Sequence, residues 1–174
     1  MKDVKIVLLG YMGSGKSTVG RIVANHLNIK FLDLDAYIEQ EEGTTVAAIF
    51  EAKGEIYFRK KEAEYLDKIF ANEDSFVLSL GGGTPCFGDN MKLVNDQTAN
   101  TFYLNVGIEE LTERLIQEKD HRPMIAHLHD EELTEFIGKH LFERSFFYNK
   151  AHQKIKSNQK TPTEIAEMIV NQLV

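Results

Sequence analysis

A chain of 174 residues, 43% hydrophobic and 27% charged, has the make-up of an ordinary globular protein, long enough to bury its core without disulfides. Its 20 Lys and Arg against 27 Asp and Glu give a formal net charge of −7, which argues against a nucleic-acid partner but not against a small anion held by a few local cations. The single cysteine, Cys86, excludes an intramolecular disulfide, no apolar run is long enough to span a bilayer, and Met1 to Leu9 runs straight into a strand pattern without a secretory leader, so a cytoplasmic location is expected.

Val4 to Leu9 is a nearly continuous apolar run ending at Gly10, the pattern of a strand buried on both faces of a parallel sheet. Gly10-Tyr11-Met12-Gly13-Ser14-Gly15-Lys16-Ser17-Thr18 follows with Walker A spacing, and a helix is expected from Lys16 to Leu27, where Val19, Ile22, Val23 and Leu27 recur at helical spacing. Strand, glycine loop and helix stand in the order the motif needs. Glycines let the backbone turn so that successive N–H groups point at phosphate oxygens, and the positive end of the helix dipole adds to them. Gly13, Ser14, Gly15 and Thr18 are expected to cradle the phosphates of a nucleotide, with Lys16 reaching the β- and γ-phosphates and the Ser17 hydroxyl on magnesium.

Ile29 to Leu34 reads as a second strand, with Asp33-Leu34-Asp35 at its carboxyl end, where parallel sheets collect their ligands. Alternation puts both carboxylates on one side if the strand persists, one for a magnesium shell and one for an acceptor hydroxyl. The alternative is that Asp35 caps a helix running through Ile38. On the helix expected from Gly54 to Phe70, Arg59 and Glu62 share a face; by themselves they would be a weak surface ion pair. Phe76 to Leu80 is a third strand, and Gly81-Gly82-Gly83 follows it directly. Three glycines cost chain entropy and imply close backbone approach, a ligand, or positive φ.

Thr101 to Leu104 is a fourth strand and Ile108 to Glu118 a helix. From Glu118 to Asp130 the chain turns polar, broken by Arg122-Pro123, and a stretch of this length without structure of its own is expected to be an active-site lid or disordered. His127, His129 and Asp130 read as lid residues rather than metal ligands, and Cys86 as packing. A helix from Glu131 to Tyr148 carries Arg144 and Tyr148 four apart; a strand from His152 to Ile155 and a helix from Thr163 to Leu173, after Pro162, complete the chain. Arg59, Arg122 and Arg144 bring three cations to a phosphate-binding site, which suits a substrate that itself carries a carboxylate.

Strands alternating with helices imply an α/β fold with a parallel sheet covered on both faces. The motifs together resemble those of shikimate kinases: the loop Gly10 to Thr18, Asp33 and Asp35, Phe58-Arg59-Lys60-Lys61-Glu62, Gly81 to Gly83, Arg122-Pro123-Met124-Ile125, and Arg144 through Tyr148 to Ala151, nearly the whole chain. The resemblance implies a P-loop NTPase-type three-layer α/β/α fold with a five-stranded parallel sheet in the order 2-3-1-4-5. It implies one domain over residues 1–174, with a substrate-binding helical region at about 34–62 and a mobile lid at about 118–130. The implied reaction moves the γ-phosphoryl of ATP, with magnesium, to the 3-hydroxyl of shikimate in aromatic amino-acid biosynthesis, in a monomer with no nucleic-acid or membrane partner.

By the same resemblance Asp35 binds and activates the hydroxyl, Asp33 and Ser17 support magnesium, and Arg59, Arg144 and the backbone of Gly81, Gly82 and Gly83 hold the substrate. Lys16 and Arg122 neutralise the phosphates, and Arg114 and Pro162 flank the adenine. Arg114 stands one residue further from the lid Arg-Pro than in some members, and Gln159-Lys160 occupies a place where arginines often occur. Gluconate kinase and nucleoside monophosphate kinases are the rival readings on the same scaffold. A guanine-nucleotide switch would carry an Asn-Lys-x-Asp motif, which this chain lacks.

Overall fold

The computed structural model describes residues 3–174, so Met1 and Lys2 of the opening run lie outside the described residues. β1 (Lys5–Leu9), β2 (Lys30–Asp33), β3 (Phe76–Ser79), β4 (Thr101–Asn105) and β5 (Gln153–Lys156) pair in parallel in the order β2-β3-β1-β4-β5, the order expected. β1 lies at the centre, and Ile6 through Leu9 are all 0% exposed, which explains a run without polar alternation. At the edge, only Ile155 of β5 is buried, so that strand reads as polar.

Side-chain alternation splits the core in two. Ile6, Leu8, Val77, Phe102 and Ile155 pack on one face against Val19 and Val23 of α1 (Lys16–Leu27) and Ile165 and Ile169 of α7 (Pro162–Val170). Val7, Leu9, Leu78 and Tyr103 face the other way, toward α2 (Leu34–Glu42), α3 (Val46–Asn72), α4 (Asn90–Gln97), α5 (Ile108–Glu118) and α6 (Asp130–Tyr148). The glycine loop leaves the carboxyl end of β1, between β3 and β4, where such a sheet opens its crevice.

The helices depart from expectation where apolar positions are few. α2 buries only Leu34 and Ile38, and α4 only Met91 and Val94 among its apolar residues, too little for a periodic signal. α3 starts at Val46, with Thr45 accepting the Ala48 N–H at 3.2 Å, and Gly54 (φ 80°, ψ 174°) breaks it where a start was expected. α7 is fixed by a reciprocal cap between Thr161 and Glu164 and ends at Val170 instead of Leu173.

The stretch 118–130 is not structureless. A 3₁₀ turn spans Lys119–His121, the amides of Ile125 and Ala126 donate to Arg122 O at 3.0 and 2.9 Å, and Ile125 is 0% exposed, pinning the segment to the core. No helix among the described residues is long and apolar enough to cross a membrane.

Candidate active site

Lys16 opens α1 with Gly15 as its cap at φ 90°, and its ammonium turns back into the loop, donating to Gly10 O at 2.9 Å and Tyr11 O at 3.0 Å. Burial lowers Lys16 to about 8 against the opposing pull of the Asp35 and Asp33 carboxylates. The next residue, Ser17, donates its hydroxyl to Asp33 Oδ2 at 2.9 Å.

The strand does not persist through the acidic pair. β2 ends at Asp33, whose other oxygen accepts the Ala36 N–H at 3.2 Å and so caps α2. The cap is therefore Asp33, not Asp35, and it is the start of a helix, not strand alternation, that sets the two carboxylates. Asp35, in the first turn, lines a cleft of about 380 Å³ together with Lys16, Ser17, Asp33, Gly82 and Arg122. Burial first, then the charges of Asp33 and Glu62, raise Asp35 to about 6, with Lys16 and Arg59 opposing.

None of the three consecutive glycines has a positive φ, so that part of the expectation is corrected; crowding is the reason for them. A Cβ on Gly81 would lie 3.0 Å from Asp35 Oδ1, one on Gly82 3.0 Å from Arg144 Nη1, and one on Gly83 2.6 Å from Arg59 Nη2. Gly81 makes room for Thr84 Oγ1 as well, also at 3.0 Å, so all three glycines make room for polar side chains. Tyr148 OH donates to Gly82 O at 2.7 Å, tying α6 to the same turn.

Arg59 and Glu62 are no surface pair. Glu62 is 1% exposed and accepts from Arg59 Nη1 at 2.9 Å and from Thr84 Oγ1 at 2.5 Å. Arg59 also lies over the Phe87 ring, 4.0 Å from its centroid, and its buried Nε, without a hydrogen-bond partner among the described residues, lies 3.5 Å from Glu55 Oε1 in a looser ion pair. Arg59 and Arg144 line a second cleft of about 490 Å³ with Phe50, Phe87, Met124 and His140. Gly82 lines the first cleft and lies beside Arg144, which lines the second. Cys86 borders the second cleft, and burial raises its thiol, in keeping with a packing role.

The phosphate cleft is covered on one side by Arg122, whose Nε donates to Glu118 Oε2 at 3.0 Å. A third cleft of about 330 Å³ lies behind the loop, where Gly13, Gly15, Thr18, Arg114, Lys160 and Pro162 come together. Arg114 Nη1 donates to Gly13 O at 3.0 Å. All the expected site residues thus fall on three adjoining clefts at the carboxyl end of the sheet, apart from Gly83, packed under Arg59. Sequence reasoning missed Thr84, Phe87, Glu118 and the pairing of Tyr11 OH with His140 Nδ1 at 2.9 Å, a contact 129 positions apart that no local pattern signals. His129 lies outside the clefts, its amide bonded to Glu132 at the start of α6.

The family model for shikimate kinase matches residues 12–174. A shikimate kinase of Flavobacterium psychrophilum is 43% identical over 165 residues, covering 95% of this chain and 96% of that one, and one of Flavobacterium johnsoniae is 43% identical over 167 residues, covering 96% and 97%. Among solved structures, shikimate kinase from Bacteroides thetaiotaomicron superposes with a TM-score of 0.87 at 38% identity, over 97% of this chain and 95% of that chain. The Acinetobacter baumannii enzyme in complex with shikimate gives 0.85 at 32% identity, over 98% and 93%. A gluconokinase from Sinorhizobium meliloti shares the fold alone, at 17% identity and a TM-score of 0.57 over 98% and 91%.

Proposed function

The chain belongs to the shikimate kinase family, P-loop kinases that move the γ-phosphoryl of ATP to the 3-hydroxyl of shikimate, and from that premise we propose how its own residues divide the reaction. The observation that carries the reading is the glycine turn. Gly82 borders the phosphate cleft on one side and touches Arg144 on the other, while Gly81 crowds Asp35 and Gly83 crowds Arg59.

Arg59 and Arg144 bind the carboxylate of shikimate. Arg59 gives Nη1 to Glu62, has Nε 3.5 Å from Glu55 Oε1, and keeps Nη2 for a ligand. Asp35 accepts the proton of the 3-hydroxyl as its oxygen forms the new bond to phosphorus; the bond from the γ-phosphorus to the bridging oxygen breaks, and ADP leaves. A carboxylate raised to about 6 is a stronger base than a free one and is still ionised at neutral pH. Lys16 and Arg122 sit where charge collects on the transferring oxygens.

Ser17 and Asp33 offer hard oxygen donors beside the phosphate loop, the donor set magnesium takes, and the ion would supply further charge neutralisation there. Residues at about 34–62 form the substrate-binding helical region and those at about 118–130 the lid that excludes water. Arg114 and Pro162 flank the adenine. The enzyme works as a cytoplasmic monomer, and its acidic net charge supports the absence of a nucleic-acid partner.

The test is ADP release with ATP and magnesium in the presence of shikimate, gluconate, AMP or no acceptor. Strong stimulation by shikimate alone is expected. Equal rates with gluconate, or none with shikimate from a chain that still binds ATP, would overturn the assignment of Arg59, Arg144 and the glycine turn.

A further inference from the structure

The cleft behind the phosphate loop is spanned by a carboxylate that does not line it. Glu110, in the first turn of α5, uses both oxygens: Oε1 pairs with Arg114 Nη2 one turn along the helix, and Oε2 accepts the backbone N–H of Gln159 at 3.0 Å. Arg114 carries the connection on, through Nη1, to Gly13 O in the phosphate loop at 3.0 Å.

Gln159 has a φ of 56°, a left-handed conformation that a non-glycine residue adopts only when its surroundings hold it there. It sits in the turn between β5 and α7, and Lys160 and Pro162 just beyond it form the wall opposite Arg114. A second tether holds the same turn to the same end of α5, with Gly107 N donating to Asn158 Oδ1 at 3.1 Å. One carboxylate thus holds both walls of a cleft of about 330 Å³ and links them to the phosphate loop.

We propose that Glu110 is a positioning residue for the nucleotide base: it fixes the separation between Arg114 and the Lys160–Pro162 wall, and so the slot the base enters. The inference rests on the reading of Arg114 and Pro162 as the residues that flank the base. An ordinary i,i+4 surface pair would not do this, because such a pair leaves its second oxygen to water. Here the side chains are only 31% and 21% exposed, and the second oxygen holds a backbone amide of another element.

Wild type, Glu110→Ala and Glu110→Gln are to be titrated by calorimetry, in magnesium and without shikimate, with ADP and separately with inorganic tripolyphosphate. Glu110→Ala should weaken ADP by about tenfold, the scale of one lost charge-assisted hydrogen bond, and leave tripolyphosphate within about twofold. Glu110→Gln keeps an oxygen for the Gln159 amide but loses the charge on Arg114, and should weaken ADP by about threefold. Unchanged ADP affinity in both variants would overturn the proposal. So would equal weakening of ADP and tripolyphosphate, which would place the effect on the phosphate loop through Arg114 and Gly13. If Glu110→Ala fails to fold, Glu110→Gln decides by the same comparison. Since no acceptor is present, a chain that binds ADP as described but ignores shikimate would sink the proposed function and leave this inference standing.

Discussion

Arg59 and Glu62, one turn apart on α3, are joined at 2.9 Å, and the carboxylate is 1% exposed with Thr84 on its other oxygen at 2.5 Å. A buried acid so placed holds Arg59 with Nη2 free, and keeps the Gly81-to-Thr84 turn against the helix. Removing it leaves the Thr84 hydroxyl without its acceptor and the guanidinium with only the looser contact of its Nε with Glu55 at 3.5 Å. Glu62→Ala should therefore cost about 3 kcal/mol in denaturant unfolding, at the lower end for a broken buried pair, and raise KM for shikimate. Glu62→Gln preserves the shape and an acceptor and should lose less on both counts. Equal losses in the two variants would mean that packing, and not the charged acceptor, is what matters.

Gly83→Ala separates acceptor binding from nucleotide binding. The backbone at Gly83 (φ −88°, ψ −19°) suits alanine, so the substitution brings no backbone strain. Its methyl would lie 2.6 Å from Arg59 Nη2 and 3.1 Å from Cζ, and Arg59, held by Glu62 and lying over Phe87, must give way. KM for shikimate should rise by about tenfold or more, as for a lost charge-assisted contact, while the ADP dissociation constant stays near wild type and stability falls by less than in Glu62→Ala, because Glu62 keeps its bond from Thr84. Steady-state kinetics beside a thermal melt checks this, and an unchanged KM would remove Arg59 from the substrate site.

The strands and the phosphate loop were legible because burial on both faces writes continuous apolar runs, as in Ile6 to Leu9, and because the loop's mechanism fixes its glycine spacing. The strand order came from the resemblance to a family; alternation of strands and helices gives a parallel sheet but not its order. What stayed hidden was long-range. The turn to helix at Leu34 is decided by Asp33 capping Ala36, which strand alternation does not register. The burial of Glu62 depends on Thr84, and the reason for Gly81 to Gly83 lies in Asp35, Arg144 and Arg59. Phe142 and Phe146 point the other way: apolar in sequence, they are 82% and 68% exposed on α6.

Arg122 should matter to turnover and hardly to stability. It is partly exposed and paired with Glu118, itself half exposed, and surface pairs of that kind contribute about 0.5 kcal/mol or less. Yet it borders the same cleft as Lys16 and Asp35. Arg122→Ala is expected to lower kcat by about a hundredfold, in the range for losing one donor to transition-state charge, with a melting temperature within about 2 °C of wild type. A kcat equal to that of wild type would take Arg122 out of the reaction.

Two titrations should bound the free enzyme. Asp35, raised to about 6 mainly by burial, must be ionised to accept the hydroxyl proton, so kcat/KM for shikimate should rise with pH through about 6. Lys16, lowered to about 8 by burial, must be charged to meet the phosphates, so kcat/KM for ATP should fall as pH passes about 8. Profiles measured for both substrates test the assignments separately. Asp35→Asn should abolish the acid limb in whatever activity remains, and a limb that persists would assign it to another group.

Asp35→Asn should also make the protein more stable where wild type is active. The folded carboxyl titrates near 6 against 3.8 for the ordinary group, so the folded state binds the proton more tightly than the unfolded one. Stability from this group is fully present below pH 3.8 and drains away as pH rises to about 6, above which ionised Asp35 is a standing cost. A displacement that large makes the cost roughly 1 to 3 kcal/mol. Asparagine never ionises, so the variant should unfold at higher denaturant than wild type at about pH 7.5, with the advantage shrinking toward about pH 4. Chemical unfolding of both proteins across that range measures it. A gain of the same size at every pH would trace the effect to packing, and no gain at the upper end would mean that Lys16 and Arg59 already compensate the buried charge. The predicted pairing of a firmer fold with lost turnover is what a carboxylate held against its preference for catalysis would give.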